Sequence, residues 1–411
     1  MSTRPLDRVV TGAGSAELGR VMATASVVYD GLGLPRADAA VVVQRAPGVS
    51  SVVRVAGAAD ARTAYPDAQE IDCGFAVSPP VVNAHTHLDL SDMPFTPGGY
   101  VGFIGAVIAH GRSGGRGPEA AERGLAELVA NGTSVVGDIV ASEGTMELLL
   151  RQDAVAGVAY WEVFAPRPED AGPAFEATIR DVERFRALER PGGMRVGISP
   201  HAPHTVSAPL LVRLAAYARA EGLPIAIHVA ESPAERELHV KGTGELARSL
   251  AAAGFPFAAK GVSPVRYLYD LGVLDGAPTL IHMVQVDEED VRLVARAGSV
   301  VVHCPRSNAA LACGEFPWLL YARHGVELAF GTDSRGSSPD LDVTNEVAAA
   351  LAAQGARLNA RAGVRAAVKG GYKALAMVPP RVVRGAPARS LVAWAPTGAD
   401  ELPEGVEATG V

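Results

Sequence analysis

Lysine is almost missing from this chain: of 37 basic residues only four are lysine, Lys241, Lys260, Lys369 and Lys373. No Lys/Arg run is present and the net charge is −8, which argues against a protein that coats nucleic acid. Cysteine is as scarce. Cys73, Cys304 and Cys313 make an odd count with no CxxC pair, so neither a disulfide framework nor a cysteine-rich zinc site can be built from them. Long apolar runs are absent as well. No stretch approaches the roughly 18 apolar residues of a membrane span. The N-terminal segment MSTRPLDRVVTGAGSAELGRVMATASVV lacks the uninterrupted apolar core of a signal peptide. The chain reads as soluble and cytoplasmic, with no membrane partner.

What is present is material for a large core. Hydrophobic residues make up 48% of 411 and charged residues 20%, which excludes wholesale disorder. The length suits an α/β barrel of roughly 250 residues with a smaller satellite. From about residue 76, eight apolar β-type runs alternate with helix-patterned segments. They lie at 81–88, 133–141, 157–165, 194–202, 224–231, 278–286, 299–305 and 327–334. Several are near-continuous in Val, Ile and Ala, as parallel strands buried on both faces require. Between them, 117–132, 208–222 and 286–298 carry helical spacing, with Ser207 as a candidate N-cap and Gly132 and Gly298 as stops. The arithmetic predicts a (β/α)8 TIM barrel over 76–379.

The ends differ. Short strand-like runs at 25–31, 37–44, 50–57 and 69–74, with 381–385 and 390–396 in the tail, are punctuated by Gly, Pro and Asp. Neither end is long enough to build a good core alone, so residues 1–75 and 380–411 are expected to join in one small β-sandwich. A doubly wound fold is set aside, because its one candidate glycine turn, TGAGSAELG (11–19), has Glu17 at the third glycine position. The Gly/Arg stretch GRSGGRG (111–117) reads as a mobile loop.

The strongest chemical signal is HTH at 85–87. Residues i and i+2 of a strand face the same way, so His85 and His87 turn into one cavity as half a metal site. His228 ends the fifth run, His282 lies near the end of the sixth, and Asp333 ends the eighth. Barrel active sites collect at the C-terminal ends of strands, so these groups converge at one mouth.

This pattern resembles the amidohydrolase superfamily over nearly the whole chain. SPHAPHTVS (199–207), HVAES (228–232) and HCPRSNAAL (303–311) resemble its deaminase branch, which includes cytosine, guanine, triazine and S-adenosylhomocysteine aminohydrolases. The resemblance implies that His85, His87, His228 and Asp333 bind one divalent ion per chain, zinc or iron, which activates a water. It implies that Glu231, three residues past His228, shuttles a proton to a ring nitrogen of the substrate. His282 and Asp333 would orient and help deprotonate the water. The partner is then a small heterocyclic amine, and a homodimer is compatible with the pattern. Two-metal members carry a bridging lysine at the end of strand 4. Here that strand reads MRVGISPHA, which favours single-metal deamination over cyclic-amide hydrolysis.

Further candidates are His201 and Glu162 at the substrate, the latter equally able to pair with an arginine. His204 stands where many relatives have tyrosine. Ser307 and Asn308 read as loop scaffolding, and His110, His239, His303 and His324 receive no chemistry. By resemblance, the substrate joins an adenine-like base to a sugar and a benzoate. Arg306 and Arg335, just after strands 7 and 8, are placed to grip its carboxylate, unless each pairs with an acid such as Asp340. Adenosine-type thioether nucleosides and guanine are the alternatives. A serine hydrolase is disfavoured, since the GxSxG match at 111–115 lies in a loop and lacks the strand–turn–helix of a nucleophile elbow. Cytidine-deaminase-type zinc motifs are absent. A metal-binding protein without catalysis would be expected to lose Glu231 or His282.

Overall fold

The computed structural model describes residues 1–12, 19–31, 35–47 and 49–395. Glu17 and the end of the predicted 390–396 strand lie outside these residues. The chain divides into two compact units, 1–80 with 379–411, and 81–378.

In the first unit, β1 (Ser2–Pro5), β2 (Arg20–Val28), β3 (Arg36–Gln44), β4 (Ser51–Gly57), β5 (Gln69–Asp72) and β6 (Ala76–Ser78) come from the N-terminal part of the chain. β2, β3 and β4 form an antiparallel meander, while β5 and β6 pair in parallel with successive stretches of β2. Residues 39–43 of β3 are apolar without alternation because both faces are covered. Ala39, Val41 and Val43 share one core with Val21 and Ala23. Ala40 and Val42 share another with Met22 and Ala61, the latter on the short helix Ala58–Ala64.

The second unit holds eight strands, seven of them within an apolar run and β9 starting one residue ahead of its own. They are β7 (Val82–Thr86), β8 (Val135–Val140), β9 (Ala156–Val163), β10 (Met194–Pro200), β11 (Ala226–Val229), β12 (Thr279–His282), β13 (Val300–His303) and β14 (Leu328–Phe330). β7 to β10 and β11 to β14 make two four-stranded parallel sheets. Parallel bridges Ile198–Ile225 and Thr86–Asp333 join the two into a ring, a TIM-barrel-like arrangement. Helices pack outside it. Pro118–Ala130 ends ahead of Gly132 at φ +80°, and Glu288–Ala297 begins with a reciprocal Asp287/Asp290 capping box and stops at left-handed Gly298. Ser207 occupies the N-cap position of Ala208–Glu221, yet its side chain makes no capping hydrogen bond.

The chain then returns to the first unit as β15 (Val392–Ala395), which pairs antiparallel with both β1 and β6. Its fully buried Trp394 donates from Nε1 to Ser78 Oγ at 2.8 Å. The strand expected at 381–385 is a turn instead. Gly385 sits at φ +90°, and its N–H donates to the Val52 carbonyl at 2.7 Å. Among the described residues, no helix is long and apolar enough to cross a membrane.

The ring closes tightly at Gly331. A Cβ there would fall 2.6 Å from His85 Cβ and 2.9 Å from the His85 backbone N and O. Gly331→Ala is therefore expected to force β7 and β14 apart. Overpacking of this kind costs about 1–3 kcal/mol, to be read as a lower denaturant midpoint. An unchanged midpoint would show that the seam yields without cost.

Candidate active site and metal centre

His85, on β7, is wholly buried, and His87 follows that strand at the start of a 3-10 turn. His228 comes from β11, and Asp333 lies just past β14. The His228 backbone and ring Nδ1–H both donate to the His201 carbonyl at 3.0 Å, which leaves Nε2 free to point inward. That Nε2 meets His87 Nε2 at 3.3 Å. Asp333 Oδ1 lies 3.4 Å from His85 Nε2 and 3.6 Å from His87 Nε2. Its Oδ2 accepts from Ser307 Oγ at 2.7 Å and Ser337 Oγ at 2.9 Å, so the carboxylate cannot swing. Both ring nitrogens of His85 and Nδ1 of His87 lack hydrogen-bond partners. Inward-facing imidazoles and a carboxylate converging in a buried space form a donor set that a divalent cation satisfies. Burial, with the charges of neighbouring imidazoles, holds His87 and His228 neutral as ligation requires. Burial opposes ionisation of Asp333, but the close approach of the His85 imidazole, with those of His87 and His282, holds its carboxyl well below the usual range.

Glu231 lies beside this cluster. Its Oε2 is 3.6 Å from His282 Nε2, and the Cys313 thiol approaches Oε1 at 3.9 Å. His282 Nδ1 accepts from Asn308 Nδ2 at 3.1 Å, which fixes the ring proton on Nε2, facing Glu231. Burial pushes the Glu231 carboxyl well above its usual range, with nearby Asp333 adding to the effect. Ser307 and Asn308, read from sequence as scaffolding, hold Asp333 and His282 respectively. Ala230, His282, Met283 and Asp333 all have φ between +51° and +72°. None is glycine, and strained backbone of this kind concentrates at functional sites.

A cavity of about 1040 Å³ opens above the cluster. His201 lines it, its Nδ1 2.7 Å from Thr205 Oγ1. Glu162 lines it too and pairs with Arg116 at 3.3 Å, the arginine partner that one of its two sequence readings expects. Burial lifts the Glu162 carboxyl to about 7, opposed by Arg116. Arg116 in turn pairs with buried Asp89 at 2.8 Å, which anchors the end of a stretch expected to be mobile.

Arg306 and Arg335 require correction, because neither lines the cavity. Arg306 is the second residue of the short helix after β13 and pairs with Asp340 at 2.8 Å and with buried Glu346. Arg335 pairs with Glu127 at 3.5 Å and with the Pro339 carbonyl. The cavity takes its cations from elsewhere. Arg112 lines the wall and makes no ion pair among the described residues, and Arg167 lies over the Phe255 ring at 5.1 Å. Arg167 follows β9 by four residues, so the strand-end rule that selected Arg335 could have selected it as well.

The amidohydrolase family model matches residues 76–377, and the chain belongs to that family. It is 43% identical over 372 residues to the aminodeoxyfutalosine deaminase of Deinococcus radiodurans, covering 88% of this chain and 87% of that protein. Among solved structures it resembles the Helicobacter pylori aminofutalosine deaminase, at TM-score 0.70 and 18% identity over 93% of both chains. A zinc-bound adenosine deaminase from Xanthomonas campestris matches at TM-score 0.65 and 25% identity, over 89% of this chain and 82% of that one.

The serine brace on Asp333 gives a direct prediction. Ser307→Ala removes one of the two hydroxyl donors that hold Asp333 Oδ2, and loss of such an orienting partner typically lowers metal affinity about 10–100-fold. Competition against a chelator measures this, and unchanged affinity would make the hydrogen bond incidental.

Proposed function

We propose that this amidohydrolase deaminates the adenine-like base of 6-amino-6-deoxyfutalosine, a step of menaquinone biosynthesis, with one zinc or iron ion at the barrel mouth. The observation that carries the reading is the placement of Glu231. A buried carboxylate stands beside a set of inward-facing metal-type ligands, at the floor of a cavity large enough for a modified nucleoside. The substrate follows from the 43% identity to a protein of that name over most of both chains.

His85, His87, His228 and Asp333 would hold the ion. When bound, it supplies a Lewis acid that brings the ionisation of water within reach of neutral pH. The residues of the chain do the rest. Glu231 takes the proton of the attacking water and delivers it to the ring nitrogen of the base. His282, its tautomer set by Asn308, donates from Nε2 and orients the water together with Asp333. The water oxygen bonds to the amine-bearing carbon, its second proton passes by way of Asp333 to the amine, and the C–N bond breaks as ammonia leaves and a carbonyl forms. His201 and Glu162 face the same space and are assigned to the base. No lysine stands on β10, where the bridging ligand of two-metal relatives would sit, so cyclic-amide hydrolysis is disfavoured.

The upper cavity fits the rest of the substrate. Phe103, Ile104, Phe164 and Leu250 give it apolar walls suited to a sugar edge and an aromatic ring, and Arg112 and Arg167 offer charge for a benzoate. Asp170 also lines the wall but pairs with neither arginine among the described residues. We also take the terminal unit as a β-sandwich, supported by the larger of its two cores, in which Val21 and Ala23 of β2 meet Val77 and Ala393.

Two expected outcomes test the reading. Glu231→Gln should keep its metal and its melting temperature while turnover falls about 10²–10⁴-fold; His228→Ala should lose metal as well. Near-normal turnover by Glu231→Gln would refute the proton shuttle, and metal loss in that variant would make Glu231 a ligand instead. Arg167→Met should raise KM for aminodeoxyfutalosine about 10–150-fold, the worth of a charge-assisted hydrogen bond, and leave a neutral adenine nucleoside little affected. Equal effects on both, with methylthioadenosine preferred by the wild type, would favour a thioether nucleoside as substrate.

A further inference from the structure

A second cluster of ligand-type side chains lies beside the catalytic cavity and shares no residue with the first. His204 follows β10, and Glu235 and His239 stand one turn apart on the helix Pro233–Lys241, hence on one face. One ligand atom from each lies within 4.8 Å of the others. All three residues are at most 6% exposed. Even so, His204 Nδ1, Glu235 Oε1 and both ring nitrogens of His239 have no hydrogen-bond partner. His204 Nδ1 and Glu235 Oε1 face each other at 3.8 Å, too far for a hydrogen bond. Buried polar atoms without partners are rare, and three residues each turning a ligand atom toward the others are a reason to look for an occupant.

The second oxygen of Glu235 explains why the first is aimed there. Oε2 accepts the Glu231 backbone N–H at 2.7 Å, which locks the carboxylate with Oε1 toward the imidazoles. Around His239 the Phe257 and Tyr267 rings, 4.8 and 5.7 Å away, form an aromatic wall, with the Lys260 ammonium lying over both rings. Two imidazoles and one carboxylate inside such a wall are a donor set that zinc accepts with its fourth position left to water. His204 also lines the catalytic cavity, which gives an ion a route in.

We propose that His204, Glu235 and His239 form a second divalent-metal site, selective for zinc and similar borderline ions, and separate from the catalytic centre. The rival occupant is an ordered water with three polar partners. Because Glu235 also holds the Glu231 amide, an ion here braces the turn that carries the proton shuttle.

The test is the zinc stoichiometry of the full chain, stripped of metal and dialysed against buffered zinc. Wild type should take up two equivalents. His239→Gln should take up one and keep its catalytic ion, while a His85→Ala/His87→Ala variant should lose the catalytic equivalent and keep the other. The second equivalent should raise the melting temperature of wild type and leave His239→Gln unmoved. Saturation of wild type at one equivalent, or two equivalents in His239→Gln, overturns the proposal and leaves water in the site; neither result touches the catalytic assignment. Should His239→Gln fail to fold, the cadmium NMR spectrum of wild type decides, with two resonances expected and a single one at saturation refuting the site.

Discussion

The barrel closes where its metal ligands meet. The Asp333 N–H donates to the His85 carbonyl at 3.0 Å, so one backbone hydrogen bond both seals β14 against β7 and sets the distance between two of the inward-facing groups. Gly331 lets the strands come that close. Folding and site geometry therefore cannot be adjusted independently here: a wider seam would relieve crowding and part the ligands at once. Eight parallel strands, each short and buried, leave little room for such adjustment, because cores respond to small volume changes by shifting as units.

The cost of this arrangement is visible in the backbone. Ala230, His282, Met283 and Asp333 hold left-handed conformations at the ends of β11, β12 and β14, and each such residue costs of order 1–3 kcal/mol. The surrounding hydrogen bonds hold them in place. Met283 N–H donates to the Val229 carbonyl and Gln285 N–H to that of Ala230, while Tyr321 Oη donates to the Met283 carbonyl at 2.6 Å. Strain is kept at the strand ends because that is where the chain must turn sharply enough to aim His282 and Asp333 inward rather than along the strand.

The eight strands were legible because parallel strands buried on both faces leave an unbroken apolar run, and the histidine pair because strand alternation fixes the relative direction of residues 85 and 87. Where the reading failed, it failed on side-chain direction. Arg306 and Arg335 lie past the right strand ends in sequence, but the first lies in a helix and turns to Glu346 and Asp340, and the second to Glu127. A strand-end rule places a Cα; it does not say where a guanidinium six bonds away will find its carboxylate. The tail segment 381–385 failed for a related reason. Two valines suggest a strand, but Gly385 in the left-handed region turns the chain there. Arg116 was hidden by its context, since a Gly/Arg stretch carries no periodicity and only the buried Asp89 and Glu162 reveal that it is tied down.

The arginines of the cavity also show why a chain this poor in lysine loses nothing at its site. Arg116 reaches two carboxylates on different strand ends at once, Asp89 after β7 and Glu162 within β9. A planar fork with several donors can do this, whereas an ammonium on a flexible stem concentrates its charge at one point. Burial penalises both carboxylates, lifting Glu162 to about 7 and raising Asp89 from its ordinary value, and the shared guanidinium opposes that rise. The result is a paired Arg–carboxylate group beside the imidazole cluster, while Arg112 and Arg167, which make no ion pair among the described residues, line the same cavity. One cavity thus gathers three kinds of charge: imidazoles and carboxylates that suit a cation, an arginine shared between two carboxylates, and arginines without an ion pair among the described residues.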